Sequence, residues 1–255
     1  MKKQLLISGF ALTTFLLAQS AATASSIASD NASNPTYSGG WSSGQNGGTG
    51  FGAWSLANNN GGSLFAGNFI APSTQIGPNI GTAFQMYANP GGATNVANRS
   101  LTGALATDQI FSFDLSVNFR NPGDRGFRLF SGGPSGTDLL DFEVMNDRYI
   151  LTIGGSSQDL FGNAYSGTAP FSFSFNQLGG NDVLVSVVRP GFTTFSQVAN
   201  LAGSIDSFQL FIQGTGNQDQ ANIGANGFSV VPEPSSLALL GMGAFGAVAF
   251  LRRRK

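Results

Sequence analysis

An all-β fold, arranged as an antiparallel β-sandwich, is predicted for the body of this chain by three features of its sequence. Apolar and polar residues alternate with period two, not 3.6, through most of residues 108–231. The alternating runs are short and separated by Gly-, Asn- and Pro-rich turn signals. Phe, used 23 times, fills many of the alternate positions and so supplies a core. One apolar and one polar face per strand is the pattern of antiparallel sheets packed face to face.

The clearest strand runs over residues 111–119, where Phe111, Phe113, Leu115, Val117 and Phe119 alternate with Ser112, Asp114, Ser116 and Asn118. After the turn Asn121-Pro122-Gly123-Asp124 comes a shorter candidate, Phe127 to Phe130, closed by Gly132-Gly133-Pro134. Leu140, Phe142 and Val144 then alternate with Asp141 and Glu143, and Asn146-Asp147 separates them from Tyr149 to Ile153. Beyond Gly154-Gly155 follow Phe171, Phe173 and Phe175 with intervening serines, the turn Gly179-Gly180-Asn181-Asp182, and Val183, Val185 and Val187. Phe208, Leu210 and Ile212 face opposite to Gln209 and Phe211, and Phe228 to Val231 ends the series.

Residues 35–105 are dominated by Gly and Asn, with Trp54 to Leu56, Leu64 to Phe69 and Ala83 to Tyr87 as strand candidates. Trp41, Phe51, Trp54, Phe65, Phe69, Phe84 and Tyr87 carry more apolar area than a disordered linker does, so this stretch is expected to complete the sandwich. The expected domain is therefore 35–231, of jelly-roll or concanavalin-A-like type, preceded by a flexible segment at 25–34. The segment order is similar in a general way to lectin-like sandwiches, without a motif to quote for it.

Both ends read as targeting segments. Met1-Lys2-Lys3 is a basic start, Leu5 to Ala18 is apolar, and Ala22-Thr23-Ala24 offers the small-x-small pattern cut by signal peptidase, which makes 1–24 a helical signal peptide and Ser25 the new N-terminus. At the other end, Val231-Pro232-Glu233-Pro234-Ser235-Ser236 leads into the apolar run Leu237 to Leu251 and then Arg252-Arg253-Arg254-Lys255. The two prolines fix φ and deny helix to Val231 and Glu233, so this stretch is expected to be extended and accessible. The serines can cap a transmembrane helix over 235–251, whose seventeen residues span about 26 Å against about 30 Å of hydrocarbon. A short anchor of this kind suits transient retention, and the terminal cations keep that end cytoplasmic. The apolar run has no polar stripe, which argues against an amphipathic helix packed on the body. The two ends require the same topology: the body lies outside the inner membrane.

The tail, 232–255, resembles the PEP-CTERM sorting signal of Gram-negative, exopolysaccharide-producing bacteria, in which a Pro-Glu-Pro motif, an apolar span and an Arg-rich end meet an exosortase-type membrane processing enzyme. All three parts are present here in that order. The resemblance implies that Pro232, Glu233 and Pro234 form the recognition motif and that Arg252, Arg253, Arg254 and Lys255 form the cytoplasmic stop. It covers about a tenth of the chain and leaves the body without an assignment.

Composition limits what the body can do. Between residues 25 and 231 there is no Lys; Arg99, Arg120, Arg125, Arg128, Arg148 and Arg189 face twelve carboxylates, a net charge of −6. That balance argues against nucleic acid or anionic lipid as a partner. Cys and His are both missing from the chain, which removes disulfides, thiolate nucleophiles and the usual neutral-pH base. Any catalysis would fall to carboxylates, Tyr or Arg.

Most motif matches are accidental. Gly40-Trp41-Ser42-Ser43-Gly44 fits a nucleophile elbow, but that device needs a strand-to-helix turn and a histidine. Gly241-Met242-Gly243-Ala244-Phe245-Gly246 fits a dinucleotide fingerprint yet lies in the apolar span, where small residues serve helix packing. Asp141 and Glu143 share one strand face about 7 Å apart, within glycosidase range, although alternate polar residues are what any solvent-facing strand shows. Asp124, Asp182 or Asp219 with backbone carbonyls could hold calcium, without the spacing of a known loop motif; no metal ligand set and no other cofactor are expected. Tyr37, Trp41, Trp54, Tyr87, Tyr149 and Tyr165 could stack on sugar rings. Trp54 and Tyr149 sit in strand context and read as core, whereas Trp41, set among glycines and serines, is the expected sugar contact.

Three readings follow. The first is a non-catalytic surface or matrix protein, associated with exopolysaccharide or biofilm. The second is a carbohydrate-binding or adhesion module. Ice binding is a minor variant of it, since the same tail occurs in some ice-binding proteins, but Thr-x-Thr repeats are missing here. The third is a secreted glycoside-active enzyme, which requires paired carboxylates in a cleft.

Overall fold

The computed structural model describes residues 26–233. Fifteen strands are arranged in two antiparallel sheets: β1 (Ala28–Asp30), β2 (Ser55–Asn58), β3 (Phe65–Pro72), β4 (Thr82–Asn89), β5 (Thr94–Ser100), β6 (Gln109–Val117), β7 (Asp124–Ser131), β8 (Thr137–Met145), β9 (Arg148–Ile153), β10 (Ser156–Asp159), β11 (Phe171–Gly179), β12 (Asp182–Val188), β13 (Phe195–Asn200), β14 (Ser207–Gln213) and β15 (Ile223–Pro232). One sheet has the order β13-β12-β11-β6-β15-β4-β3, with β1 added to β15; the other has the order β10-β9-β8-β7-β14-β5-β2. Helix among the described residues is limited to four three-residue 3-10 turns. None is long and apolar enough to cross a membrane. The signal helix at 1–24 and the transmembrane helix at 235–251 lie outside the described residues.

The period-two reading explains the core. Phe111, Phe113, Leu115 and Val117 of β6 face inward beside Phe171, Phe173 and Phe175 of β11, with Phe173 opposite Phe113 in register. From the other sheet Phe127, Phe142 and Phe208 meet them; Phe113 lies edge-on to Phe127 at 4.9 Å, and Phe142 lies 4.9 Å from Phe173. Each buried Phe contributes about 1.5–3 kcal/mol of transfer free energy, and edge-to-face geometry adds about 0.5–1.5 kcal/mol per pair. This aromatic column holds the two sheets together without any disulfide.

The segment expected to be flexible, 25–34, is tied into the sheet over its described part, from residue 26 on. Ala28, Ser29 and Asp30 pair with Val230, Ser229 and Phe228 of β15, and the Asp30 carboxylate is buried against Arg99. A bulge between Asn226 and Ser229, with Gly227 at φ 68°, divides β15, so that β4 pairs with its first half and β1 with its second. Burial of a carboxylate with its partner overrides the disorder suggested by Ser, Asn and Asp in this stretch.

Residues 35–105 complete both sheets. They contain β2 to β5, and the loop 35–54 folds Tyr37, Trp41, Phe51 and Trp54 into the core. Strand β5, unmarked by alternation, lies between β14 and β2. It is hidden in the sequence by Asn95, Asn98 and Arg99. Two of these are buried: Asn95 donates to the Gly67 carbonyl at 2.7 Å, and Arg99 donates to the Gly52 carbonyl at 2.9 Å.

Candidate functional site

The sorting tail begins inside the fold. β15 is flanked by β6 on one side and by β4 and β1 on the other, and its pairing with β6 continues to Pro232, opposite Gln109. The next residue is held as well: the Glu233 N–H donates to the Asp108 carbonyl at 2.6 Å, and its carboxylate accepts from the Asn176 side-chain amide at 2.9 Å. Asp108 occupies left-handed backbone (φ 61°) and donates its own N–H to Gln177. The segment is extended, as two prolines dictate, but its first two motif residues lie on the sandwich and not on a free linker. Pro234, Arg252, Arg253, Arg254, Lys255, Ala22 and Ala24 lie outside the described residues.

Trp41 is not a surface platform. It is 4% exposed and packs edge-on to Trp54 at 5.0 Å and at a tilt to Phe84 at 5.1 Å. Its flexible glycine and serine neighbours let the loop turn inward, and burial of the indole offsets the ordering of that loop. Tyr37 and Tyr149 are buried too. Tyr165, at 52%, is the half-exposed aromatic of the sequence-derived set.

Asp141 and Glu143 do share the outer face of β8, as the alternation predicts, and both lie beside Arg128 of β7. Arg128 Nε is 3.0 Å from Asp141 Oδ2, Nη2 is 3.4 Å from Glu143 Oε1, and Asp138 stands at 3.9 Å. The guanidinium carbon sits 4.5 Å over the Phe211 ring. Desolvation pushes the Asp141 carboxyl up to about 7 against the pull of Arg128, with Glu143 in hydrogen-bonding reach adding to the rise. Both carboxyls are engaged by one guanidinium, which leaves neither free to act as acid or base on a glycosidic bond. The group reads as a polar cluster of three carboxyls around one guanidinium. Registers extend it into a row across the sheet, Ser157–Thr152–Asp141–Arg128–Gln209–Asn98–Ser55.

The acidic residues considered for calcium are dispersed. Asp124 starts β7, buried, with its carboxyl raised to about 6 by desolvation and by Glu143. Asp182 starts β12 and accepts from Asn200 at 2.7 Å, while Asp219 lies in a 3-10 turn. Among the described residues no three acidic side chains gather as a metal site.

A cleft of about 330 Å³ is lined by Phe119, Arg120, Asn121, Asp147 and Tyr165. It forms where the β6–β7 connection, the two-residue β8–β9 turn at Asn146-Asp147 and the loop before β11 converge. Arg120 donates from Nη1 to the Asn163 carbonyl at 2.6 Å, and its guanidinium carbon lies 5.3 Å from the Tyr149 ring and 5.2 Å from the Tyr165 ring. Asp147 is the carboxylate beside it, at 4.0 Å from Nε, with side-chain exposures of 15% for Arg120 and 68% for Asp147.

Tyr165 is fixed from both sides. Its hydroxyl donates to Asn118 Oδ1, and the buried Arg189 donates to the carbonyls of its two neighbours, Ala164 and Ser166, each at 2.9 Å. Arg189 also bonds the Tyr149 hydroxyl at 3.0 Å and packs 4.5 Å from the Tyr149 and Phe171 rings. Backbone carbonyls and aromatic faces thus hold a cation that has no carboxylate partner among the described residues. The sequence reading named Tyr165 but missed Arg120; its position in an Arg-Asn-Pro-Gly turn is the one signal that separates it from the arginines of the strands.

Among solved structures, the chain is similar to the carbohydrate esterase vb_24B_21 from Shiga toxin-encoding bacteriophage phi24B, with 12% identity and a TM-score of 0.43 over 70% of this chain and 89% of that one. It is also similar to the botulinum neurotoxin serotype D binding domain, with 9% identity and a TM-score of 0.43 over 71% and 46%. Lectin I-B4 from Griffonia simplicifolia gives 10% identity and a TM-score of 0.38 over 66% and 92%. No curated protein matches the chain. A family model does match its C-terminal region, residues 230–255, and by that match the chain carries a PEP-CTERM protein-sorting motif.

Proposed function

We propose that this is a non-catalytic cell-surface or extracellular-matrix protein, held briefly at the inner membrane by its tail and then passed to an exopolysaccharide or biofilm layer. The PEP-CTERM motif implies export, C-terminal sorting at the membrane and processing by an exosortase-type enzyme. The observation that carries the rest is continuity: the matched segment starts at residue 230, within β15, so the sandwich meets the sorting signal with no linker between them. The partners of this reading are signal peptidase, the exosortase-type enzyme and exopolysaccharide. The body's charge of −6 disfavours nucleic acid, and the engagement of Asp141 and Glu143 by Arg128 disfavours glycoside hydrolysis. Calcium keeps no argument beyond the individual acidic loops.

The test compares the full chain with a form ending at Pro234 in a producing bacterium, with and without its exosortase-type enzyme. The full chain should accumulate in membranes when the enzyme is missing and reach the matrix when it is present. The shortened form should be exported and escape the membrane fraction; its retention there contradicts the proposal.

A second reading, a carbohydrate-binding or adhesion module, is favoured by one feature: the half-exposed Tyr165 ring beside Arg120 and Asn121 in a cleft. An apolar face with a few convergent polar groups is the usual composition of a small-ligand site. Ice binding has no such support.

A further inference from the structure

We infer that the Arg120–Tyr165 cleft is a subsite for a carboxylated sugar, a uronic-acid residue within a polysaccharide. This rests on the carbohydrate-binding reading and goes beyond it by assigning the charge of the ligand and the residues that select it.

The charge argument comes from the six arginines of the body. Arg99 is paired with Asp30, Arg148 with Asp159, and Arg128 with Asp138, Asp141 and Glu143. Arg125 and Arg189 are fully buried, and their terminal nitrogens go to backbone carbonyls and the Tyr149 hydroxyl. Among the described residues Arg120 lines the cleft with its side chain 15% exposed, and the carboxylate beside it, on the mostly exposed Asp147, stands 4.0 Å from Nε. Of the five N–H groups of a guanidinium, one is used in a hydrogen bond among the described residues, from Nη1 to the Asn163 carbonyl. The body's net charge of −6 disfavours a polyanion over most of its surface, but here a single carboxylate would meet a guanidinium whose ion pair with Asp147 is long and mostly solvent-exposed.

The shape argument comes from Tyr165. Its hydroxyl is occupied by Asn118 and both flanking carbonyls by Arg189, so the half-exposed ring is presented with little remaining freedom. A fixed aromatic face suits the C–H face of a pyranose, and pre-organisation lowers the cost of binding. Arg120 covers one face of that ring, 5.2 Å from its centroid, which leaves the other face for the pyranose and the edge of the guanidinium for a carboxylate that reaches past the ring. Asn121 and Asp147 offer an amide and a carboxylate for hydroxyls. A volume of about 330 Å³ lies at the small end of ligand sites and suits one or two sugar units.

The experiment measures binding of the full chain, in detergent, to oligomers of galacturonate, glucuronate and mannuronate, with methyl-esterified oligogalacturonate and dextran as uncharged controls. At least one uronate oligomer should bind, at least tenfold more tightly than the methyl ester or dextran. Arg120→Gln should lower its affinity to that of the uncharged controls, Tyr165→Ala should abolish binding, and both variants should melt like the parent. Equal binding of acid and uncharged oligomers, or wild-type uronate affinity in Arg120→Gln, overturns the acidic subsite while leaving a carbohydrate-binding module. Binding by none of the glycans overturns both.

Discussion

The side-chain amide of Asn176 donates to the carboxylate of Glu233 across 2.9 Å, which fastens the central residue of the sorting motif to β11, the strand beyond β6 in the same sheet. With the bond from the Glu233 N–H to Asp108, release of this residue requires two hydrogen bonds to open. A hydrogen bond to a charged group contributes about 1.5–3 kcal/mol, toward the lower end where water competes. We therefore expect Asn176→Ala to raise the population of the released motif several-fold to about tenfold. In membranes containing the exosortase-type enzyme, pulse-chase labelling should show the processed form appearing correspondingly sooner. An unchanged rate with an unchanged melting temperature would show that the clasp does not limit access.

Arg99 and Asp30 form a buried pair that joins β5 to the N-terminal strand. Arg99 also donates to Asn46 and Gly52 and lies 4.7 Å from the Trp54 ring, while the Tyr37 hydroxyl donates to Asp30. Leaving one member of such a pair uncompensated costs about 3–5 kcal/mol. Arg99→Met should lower Tm by about 6–20 °C for a domain of this size. The double variant Arg99→Met with Asp30→Leu should lose less than the single one. A double loss equal to the sum of the two single losses would mean that the charges are not coupled.

These two contacts also mark what the sequence conveys. Strands in which Phe alternates with Ser, such as Phe111 to Val117 and Phe171 to Phe175, were legible because their side chains divide cleanly between core and solvent. Strand β5 was not, because Asn95 and Arg99 face inward and are satisfied by partners as remote as Gly67 and Asp30. Trp41 was misread for a related reason: glycine and serine neighbours signal a loop, but whether a loop faces in or out depends on what it packs on, here Trp54 and Phe84. The sorting tail was legible because its three parts are contiguous. The Arg120–Tyr165 cleft was not, because three separate connections assemble it.

The cluster around Arg128 makes stability depend on pH. Desolvation raises the Asp141 carboxyl to about 7 and the Asp124 carboxyl to about 6, against about 3.9 for an unfolded Asp. Between about pH 4 and 7 the folded protein therefore holds protons that the unfolded chain has lost, and stability falls as pH rises through that window. Asp159, lowered by its hydrogen bonds to Arg148 and Asn163, acts in the opposite sense only in more acidic solution. Thermal melts should give a higher Tm at pH 5 than at pH 8, and Asp141→Asn should reduce the difference. A Tm that rises steadily from pH 5 to 8 in the parent would contradict the assignment.

Directly beneath that cluster, Gly126 pairs with Glu143 on one side and Phe211 on the other. A Cβ at this position would lie 1.7 Å from the Phe142 carbonyl oxygen. The obstacle is backbone of β8, which cannot turn aside as a side chain can, so Gly126→Ala must part β7 from β8 or distort both. Separation there would also displace Arg128 from Asp141 and open the aromatic column at Phe127 and Phe142. We expect this variant to be recovered largely unfolded, or with a Tm depressed by ~10 °C or more, corresponding to a loss above about 3 kcal/mol. Gly39→Ala is the matching control, since nothing lies within 4 Å of a Cβ there, and its stability should stay within about 0.5 kcal/mol of the parent. Equal melting of the two variants would mean that β8 does not pass where it is placed over Gly126, and the register that brings Asp141 and Glu143 to Arg128 would fall with it.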